Sequence, residues 1–185
     1  MLNMKVFRSL WRLPAPVLMI ALVLLQAGVL ALMGRDPGCG CGGDWPWQVR
    51  LDPAQNSQHL ADPYSVLHLG FGMALLLIFR ALRPHWPVAR LALIVLVSSS
   101  IWEVMENMPA IISVFGYEPG DPRGYDGDSI LNSLGDTAFT VAGGMLASRL
   151  PVWAVVAALI AVEVGVSLWI DDGYIIGLLR ALGLG

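Results

Sequence analysis

The sequence contains about five apolar runs of the length that a helix needs to cross a membrane, roughly 20 residues. Because the bilayer interior offers no water to backbone groups, such runs must form helices whose N–H and C=O groups bond internally. The chain has 56% hydrophobic and only 14% charged residues, whereas a soluble domain carries about 25% charged residues. The sequence therefore predicts an all-α integral membrane bundle of about five transmembrane helices, in a single domain over residues 1–185.

Charged and turn-forming residues bound these runs. Asp62 followed by Pro63 is typical of an N-cap with proline at the first helical position, and Pro151 separates the last two runs. The predicted helices cover residues 13–34, 62–82, 88–112, 128–150 and 151–170, with polar outer loops over residues 35–61 and 113–127. The apolar segment from Tyr174 is too short to span, so we expect it to lie in the membrane interface or to re-enter.

Positive charge predicts the orientation of the helices. A basic stretch precedes the first apolar run, which exceeds the roughly 7–15 residues of a cleaved signal peptide, so we expect a retained helix. With a cytoplasmic N-terminus, the cytoplasmic side holds most of the 11 basic residues, namely Lys5, Arg8, Arg12, Arg80, Arg83, Arg90 and Arg149. Because Lys and Arg concentrate in cytoplasmic loops, this orientation is the predicted one, and the acidic loops then face outward.

Ionisable residues interrupt four of the apolar runs, and they are His68, Glu103, Glu106, Asp136 and Glu163. A charge in the bilayer interior is costly, so such residues usually face the interior of a bundle or a wet cavity. With the predicted orientation, each lies in the half of its helix nearest the outer face. We therefore expect one polar site assembled from several helices.

Spacings of three and four residues place polar side chains on one helix face. The two sets are Glu103, Glu106 and Asn107, and Asp128, Asn132 and Asp136. Such groups can hold a divalent metal, whereas paired carboxylates can share a proton or act as acid and base. The candidate catalytic residues are His68, Glu103, Glu106 and Asp136, the candidate metal ligands are His68, Glu103 and Asp136, and the candidate binding residues are His59, Asp62, Asn107, Asp128, Asn132 and Glu163.

Simpler structural roles also fit several of these residues. Asp62 and Asp128 each precede an apolar run and fit plain N-caps, and His68 fits a hydrogen bond to a neighbouring helix. Glu103 and Glu106 lie near a helix end, where they fit solvation at the membrane interface. The small residues of the run 128–150 predict a central helix that packs closely against its neighbours.

The two cysteines lie close together in the first outer loop, as Cys39-Gly40-Cys41. Two thiols in an oxidising compartment favour a disulfide, although a single intervening residue leaves little room for one. Metal binding by both thiols together with His59 is the alternative.

The motifs around these residues resemble a bacterial family of multi-pass inner-membrane proteins of unknown function. They are Cys39-Gly40-Cys41-Gly42, Asn56-Ser57-Gln58-His59, Asp62, Tyr64, His68, Trp102-Glu103, Glu106-Asn107, Gly127-Asp128-Ser129, Asn132-Ser133, Asp136 and Leu150-Pro151-Val152-Trp153. The resemblance implies a multi-pass protein of the bacterial inner membrane and brings no activity. The chain departs from the family pattern at Phe71, where members of that family tend to carry a second histidine. A fainter likeness to VanZ-like membrane proteins is an analogy of fold, which does not transfer function.

Two classes of function fit these observations. The sequence has no recognised nucleophile–base pair, nucleotide-binding loop or zinc signature, which favours a non-catalytic binding, partner or assembly role with a lipid or another membrane protein. The alternative is a membrane-embedded hydrolase or transferase acting on a lipid headgroup with the help of a divalent metal, and a proton or ion pathway is a third reading. The net charge of −3 does not indicate a nucleic-acid surface.

Overall fold

The computed structural model describes residues 14–41, 46–115 and 117–184, and these residues form seven helices. The helices are α1 (Ala15–Leu32), α2 (Pro63–Leu82), α3 (Val88–Glu106), α4 (Pro109–Phe115), α5 (Ile130–Ala147), α6 (Val152–Ile170) and α7 (Tyr174–Ala181). Within the described ranges the only β-type pairing is an isolated bridge between Trp47 and Ala61. The predicted all-α bundle is confirmed.

Four of the described helices, α1, α2, α3 and α6, are long and apolar enough to cross a membrane. They support the prediction of a membrane protein. Helix α5, the remaining predicted span, is as long as α1 but does not reach the same hydropathy, because Asn132 and Asp136 lie among its residues. The first residue of the predicted helix 13–34 and the basic residues Lys5, Arg8 and Arg12 lie outside the described residues.

The predicted helix over residues 88–112 is wrong, because the structure breaks it into α3 and α4. Asn107 ends α3, and its side chain folds back so that Nδ2 donates to the carbonyl of Glu103 at 2.8 Å. Pro109 then begins α4, since proline has no N–H and is tolerated only in a first helical turn. The predicted loop 113–127 is consequently shorter than expected, with α4 reaching Phe115.

Helix α5 occupies the centre of the bundle, where it contacts α1, α2 and α3, and α2 packs on its other side against α6. Small residues allow the closest approaches. A Cβ atom at Gly72 would overlap the backbone carbonyl of Thr140, and one at Gly143 would overlap the carbonyl of Leu69. The prediction of a close-packing central helix is therefore confirmed, and the tightest contact joins α2 to α5.

Helix α1 is attached to the bundle by one polar side chain, Gln26. It is only 2% exposed, and its Nε2 donates to Thr137 Oγ1 at 2.9 Å while its Oε1 accepts from Ser100 Oγ at 2.9 Å. In an apolar medium such bonds hold helices together because the polar groups have no water as an alternative partner.

The segments at residues 36–41, 46–62, 117–129 and 171–173 meet at one end of the bundle, called the loop end below. The backbone N–H of Ser129 donates to the carbonyl of Ser57 at 2.9 Å, and the Nδ2 of Asn56 donates to the carbonyls of Pro122 and Gly124. These bonds tie the first and second loops into one polar layer, and that layer covers the ends of α2, α3 and α5.

The contact between α2 and α5 can be tested with Gly72→Ala. The added methyl group would overlap the backbone of Thr140, so the two helices must separate. We expect a loss of about 1–3 kcal/mol of stability, the usual cost of overpacking, seen as a lower thermal unfolding midpoint in detergent. The matched control is Gly165→Ala in α6, where a Cβ meets nothing within 4 Å and alanine is the better helix former. Equal midpoints for both variants would contradict the close contact.

Candidate functional site

A cavity of about 390 Å³ lies at the loop end, between α2, α3, α4 and α7. Its walls are mainly aromatic and aliphatic, and include Tyr64, Leu67, Phe71, Trp102, Phe115, Tyr117, Tyr125 and Leu178. Six ionisable side chains other than tyrosine also line it. His68, Glu106, Asp128 and Asp136 form one group, and Arg123 and Asp172 lie with Tyr117 at another side. The cavity thus combines apolar walls with an acidic patch that carries one imidazole.

The structure places His68 between two carboxylates from different helices. Its Nδ1 lies 3.3 Å from Glu103 Oε1 on α3, and its Nε2 lies 3.8 Å from Asp136 Oδ2 on α5. Glu103 is completely buried and the His68 side chain is 11% exposed. Three of the five residues that the sequence assigns to one polar site therefore lie close together, although each of the three comes from a different helix.

Hydrogen bonds at the start of α2 fix the position of Asp136. Asp62 caps this helix by accepting from the N–H groups of Tyr64 and Ser65, and its own backbone N–H donates to Ser65 Oγ at 3.0 Å. The hydroxyl of Ser65 in turn donates to Asp136 Oδ1. The N-cap expected at Asp62 is present, and through Ser65 it also orients the carboxylate next to His68.

Glu103 stands out because, apart from the carboxyl of Glu106, no described residue offers a donor to its carboxylate oxygens. No hydrogen-bond partner among the described residues reaches His68 Nδ1 either. The 3.3 Å approach between the two groups is thus a contact without hydrogen-bond alignment. One ligand atom each from His68, Glu103 and Glu106 lie within 4.8 Å of one another. That group contains Glu106 in place of Asp136, which the sequence pairs with His68 and Glu103 as metal ligands.

A second polar set joins the end of α3 to the start of α5. Asn107 Nδ2 donates to Asp128 Oδ2 at 2.7 Å, and the backbone N–H of Asp128 donates to Asn107 Oδ1 at 2.8 Å. Ser133 Oγ also donates to Asp128 Oδ2 at 3.3 Å. Burial raises the pKa of Asp128. Ser129, not Asp128, is the N-cap of α5, so the simple capping role considered for Asp128 is wrong.

The structure places Glu163 away from this cluster. Its two carboxylate oxygens accept from the backbone N–H groups of Tyr174 at 2.8 Å and Ile175 at 3.0 Å, the first residues of α7. A carboxylate at a helix N-terminus is stabilised by the free N–H groups and the helix dipole. Glu163 therefore holds α7 against α6, which explains a partly buried charge on α6 without a ligand.

His59 lies in the loop layer, and Asn132 in the first turn of α5 joins that helix to it. The Nδ2 of Asn132 donates to the backbone carbonyl of His59 at 2.8 Å, and the His59 ring lies 3.3 Å from Gln55 Oε1. Cys39 and Cys41 form a disulfide, and Cys41 Sγ lies 3.8 Å from His59 Nε2.

Sequence reasoning missed a cluster at the side of the cavity around Tyr117. The hydroxyls of Tyr64 and Tyr117 both donate to Asp172, which is 4% exposed. The guanidinium of Arg180 lies 4.1 Å from the centre of the Tyr117 ring, and that of Arg123 lies 5.1 Å from it. Burial is the largest cause that raises the pKa of Tyr117. The adjacent acidic residues Asp171 and Asp172 after α6 are the sequence signal that could have indicated this cluster.

The bundle, its four apolar helices and its ionisable cavity define a helical membrane protein. The chain belongs to the family described as Protein of unknown function (DUF2585), which matches residues 30–182. It is 38% identical over 149 residues to a UPF0314 protein of Sphingopyxis alaskensis, covering 80% of this chain and 78% of that protein. It is also 38% identical over 164 residues to a UPF0314 protein of Paracoccus denitrificans, covering 86% of this chain and 82% of that protein. The resemblance to an uncharacterised bacterial family is confirmed, and no solved structure matches the chain.

The buried carboxyl of Asp62 predicts a pH dependence of stability. Burial is the main cause that raises its pKa from 3.8 to about 6. Between these two values the folded protein binds more protons than the unfolded chain, so the free energy of unfolding falls as the pH rises from about 4 to 6. Asp62→Asn keeps an oxygen that can cap α2 but removes this titration, so we expect a flatter pH profile of chemical unfolding.

Asp121→Asn provides the control for this measurement. Hydrogen bonds from Arg123 lower the pKa of Asp121 to about 2, so this carboxyl titrates below the pH 4–6 window. Its removal should leave the slope in that window unchanged. If the free energy of unfolding of Asp62→Asn falls with pH as steeply as that of the wild type, the Asp62 carboxyl is already ionised in the folded protein at pH 4.

Proposed function

We propose that this protein is a multi-pass protein of the bacterial inner membrane that binds an amphiphilic ligand, such as a lipid, in the cavity at its loop end. The proposed role is binding without catalysis. The observation that carries the proposal is the composition of the cavity, in which aromatic and aliphatic walls adjoin charged groups, the acidic patch around His68 among them. A lipid-like molecule matches both parts, with its chain against the walls and its polar group at the patch.

The size and position of the cavity support an amphiphile. Its volume of about 390 Å³ lies in the range of about 300–1,000 Å³ that is usual for small-molecule sites. Helix α7 forms one wall with Gly177 and Leu178, and Leu178 is 60% exposed. Such a short, partly exposed apolar helix at the end of a bundle fits a position in the membrane interface, where lipid chains and headgroups meet.

The distribution of basic residues supports an orientation with the loop end outside the cytoplasm. Arg80, Arg83, Arg90 and Arg149 are exposed and lie at the opposite end of the bundle, where α2, α3 and α5 have their other termini. Short cytoplasmic connections carry such an excess of arginine. The cavity then opens towards the outer half of the membrane, and the N-terminus lies in the cytoplasm.

A membrane-embedded hydrolase or transferase acting on a lipid headgroup is the second candidate. The observation that favours it is His68, which lies between Glu103 and Asp136 and lines the cavity. An imidazole oriented by a carboxylate is the usual general base or acid of an enzyme. Among the described residues of the cavity wall, Ser57 is the only serine, threonine or cysteine, and its hydroxyl is bonded to Asp62 rather than to His68.

Blocking the cavity tests the binding proposal. A Cβ at Gly177 meets only Phe115 Cε1, at 3.8 Å, so the side chain of Gly177→Phe should enter the cavity without disturbing a helix contact. We expect at least a roughly tenfold loss of affinity for a lysophospholipid with a brominated acyl chain, which corresponds to about 1.4 kcal/mol. Quenching of tryptophan fluorescence measures this binding, since Trp102 lines the cavity.

The matched control is Ile175→Phe on the same helix, whose side chain is 60% exposed and does not line the cavity. It should bind the lysophospholipid as the wild type does. Equal binding by both variants would exclude the cavity as the site. Mass spectrometry of the recovered lipid separates the two candidates: an unchanged lipid supports binding, whereas conversion that is lost in His68→Asn supports the enzyme.

The orientation can be tested through the disulfide in the first loop. After reduction, Cys41 is exposed and should react with a membrane-impermeant maleimide added to intact spheroplasts. The control is Arg83→Cys in a chain with Cys39→Ser and Cys41→Ser, because exposed Arg83 lies at the opposite end of the bundle. This thiol should react only after permeabilisation. The reverse labelling pattern would place the cavity on the cytoplasmic side.

A further inference from the structure

We propose that His68, Glu103 and Glu106 bind one divalent transition-metal cation, such as Zn²⁺ or Mn²⁺, at the floor of the cavity. This inference deepens the proposed function because it names a cofactor for the same site. It rests on the proposed function only in one respect, namely that the ligand meeting the cation in the cavity is an amphiphile.

The unpartnered state of Glu103 is the first observation. Its side chain is completely buried on a membrane-spanning helix, and apart from the neighbouring carboxyl of Glu106 no described residue offers its carboxylate oxygens a donor. Two other buried carboxylates close to the cavity do have donors, because Asp128 accepts from Asn107 and Ser133, and Asp136 accepts from Ser65. Leaving a buried carboxylate without a donor or a cation costs several kcal/mol, so Glu103 requires a positively charged partner or a proton.

The geometry around His68 favours a metal over a hydrogen bond. Its Nδ1 is 3.3 Å from Glu103 Oε1 without hydrogen-bond alignment. Two ligand atoms that are each about 2.0–2.2 Å from a tetrahedral Zn²⁺ are separated by about 3.3–3.6 Å, which matches that distance. Glu106, one helical turn from Glu103, brings a third ligand atom within 4.8 Å of the other two.

Asp136 orients the His68 imidazole for metal binding from the side of the ring opposite to Glu103. It lies 3.8 Å from Nε2, so it favours the tautomer with a proton on that nitrogen and a free lone pair on Nδ1. Histidine ligands of metals usually direct their second nitrogen at a carboxylate in this way. Asp136 is itself fixed by the hydroxyl of Ser65. The lone pair of Nδ1 is then available on the side of Glu103. A cation between this nitrogen and the Glu103 carboxylate removes the repulsion between the two groups.

The donor set indicates which cation fits. One imidazole nitrogen with carboxylate oxygens suits Zn²⁺, Mn²⁺ or Fe²⁺, whereas Mg²⁺ and Ca²⁺ prefer oxygen ligands alone. Two ionised carboxylates and a neutral imidazole carry a charge that one divalent cation balances. Because His68 and Glu106 line the cavity, a cation bound by three protein groups keeps an open position towards a ligand in the cavity.

Metal titration of the purified full-length protein tests this inference. The protein is stripped with a chelator in detergent, and Zn²⁺ and Mn²⁺ are then added in a calorimeter. We expect one cation per chain, with affinity reduced at least about tenfold in Glu103→Gln and in Glu106→Gln, since each variant removes one ligand. Glu163→Gln is the matched control, because Glu163 caps α7 away from the cluster and its loss should leave the affinity unchanged.

The competing explanation is a proton shared among the carboxyls of Glu103, Glu106 and Asp128. In that case neither cation binds to the wild-type protein at one per chain, and the inference is overturned. The half-buried Glu106 keeps the test informative if Glu103→Gln does not fold, as judged by circular dichroism and gel filtration.

Lysophospholipid binding to the metal-free protein separates the two proposals. Lipid binding without cation binding would overturn the metal site and leave the proposed function standing. Cation binding without lipid binding would support the metal site and contradict the amphiphile.

Discussion

The contact between α2 and α5 is the interaction on which the rest of the structure depends. At Gly72 and Gly143 the two backbones approach so closely that a single methyl group would not fit. In a membrane the hydrophobic effect does not drive helices together, and close packing of small residues supplies the attraction instead. The same contact brings Ser65 and His68 of α2 against Asp136 of α5, so the packing of the bundle and the geometry of the site have one cause.

Some buried polar groups have hydrogen-bond partners within the protein, and others do not. Gln26 and Asn107 have complete sets of partners on neighbouring helices, and they hold α1 and the end of α3 in place. Glu103 and the Nδ1 of His68 do not have such partners. Buried polar groups in folded proteins are nearly always paired, so an unpaired set that borders a cavity is a reason to expect a ligand.

The loop end connects this site to the surface through the interactions of Arg35, Tyr117 and Glu163. Arg35 donates to the backbone carbonyls of Asp126 and Asn107, which fixes the second loop to the end of α3. Gly127 has a φ of +94° beside this guanidinium, a backbone conformation and a space that suit glycine alone. Tyr117 and Glu163 position Asp172 and the start of α7. These contacts build the cavity wall from segments that are far apart in the sequence.

The family relationship and the structure support each other in what they establish. The relatives are bacterial proteins and the apolar helices indicate a membrane protein, and the matched region at residues 30–182 includes every helix that lines the cavity. The structure adds the part that family membership does not supply, namely an apolar cavity whose floor is formed by His68 and Glu106.

The sequence by itself determined the helices and the ionisable residues within them that need a partner. Apolar runs of membrane length must become helices because no other structure satisfies their backbone in lipid, and ionisable residues inside them must find partners. This reasoning identified His68, Glu103, Glu106 and Asp136 without a structure. Glu163 looked equivalent by the same criterion, since depth in a helix does not reveal the direction in which a side chain points.

Only the tertiary structure decided which of these residues meet. Helix rotation and packing direct Glu163 to the N-terminus of α7. The set of three candidate metal ligands contains Glu106, where the sequence predicts Asp136. The break between α3 and α4 also depends on tertiary contacts, because Asn107 ends the helix while binding Asp128 across the bundle. Apolar runs determine where a helix forms. Which residues of different helices meet depends on the distances between the helices, and small residues such as Gly72 set those distances by allowing close packing.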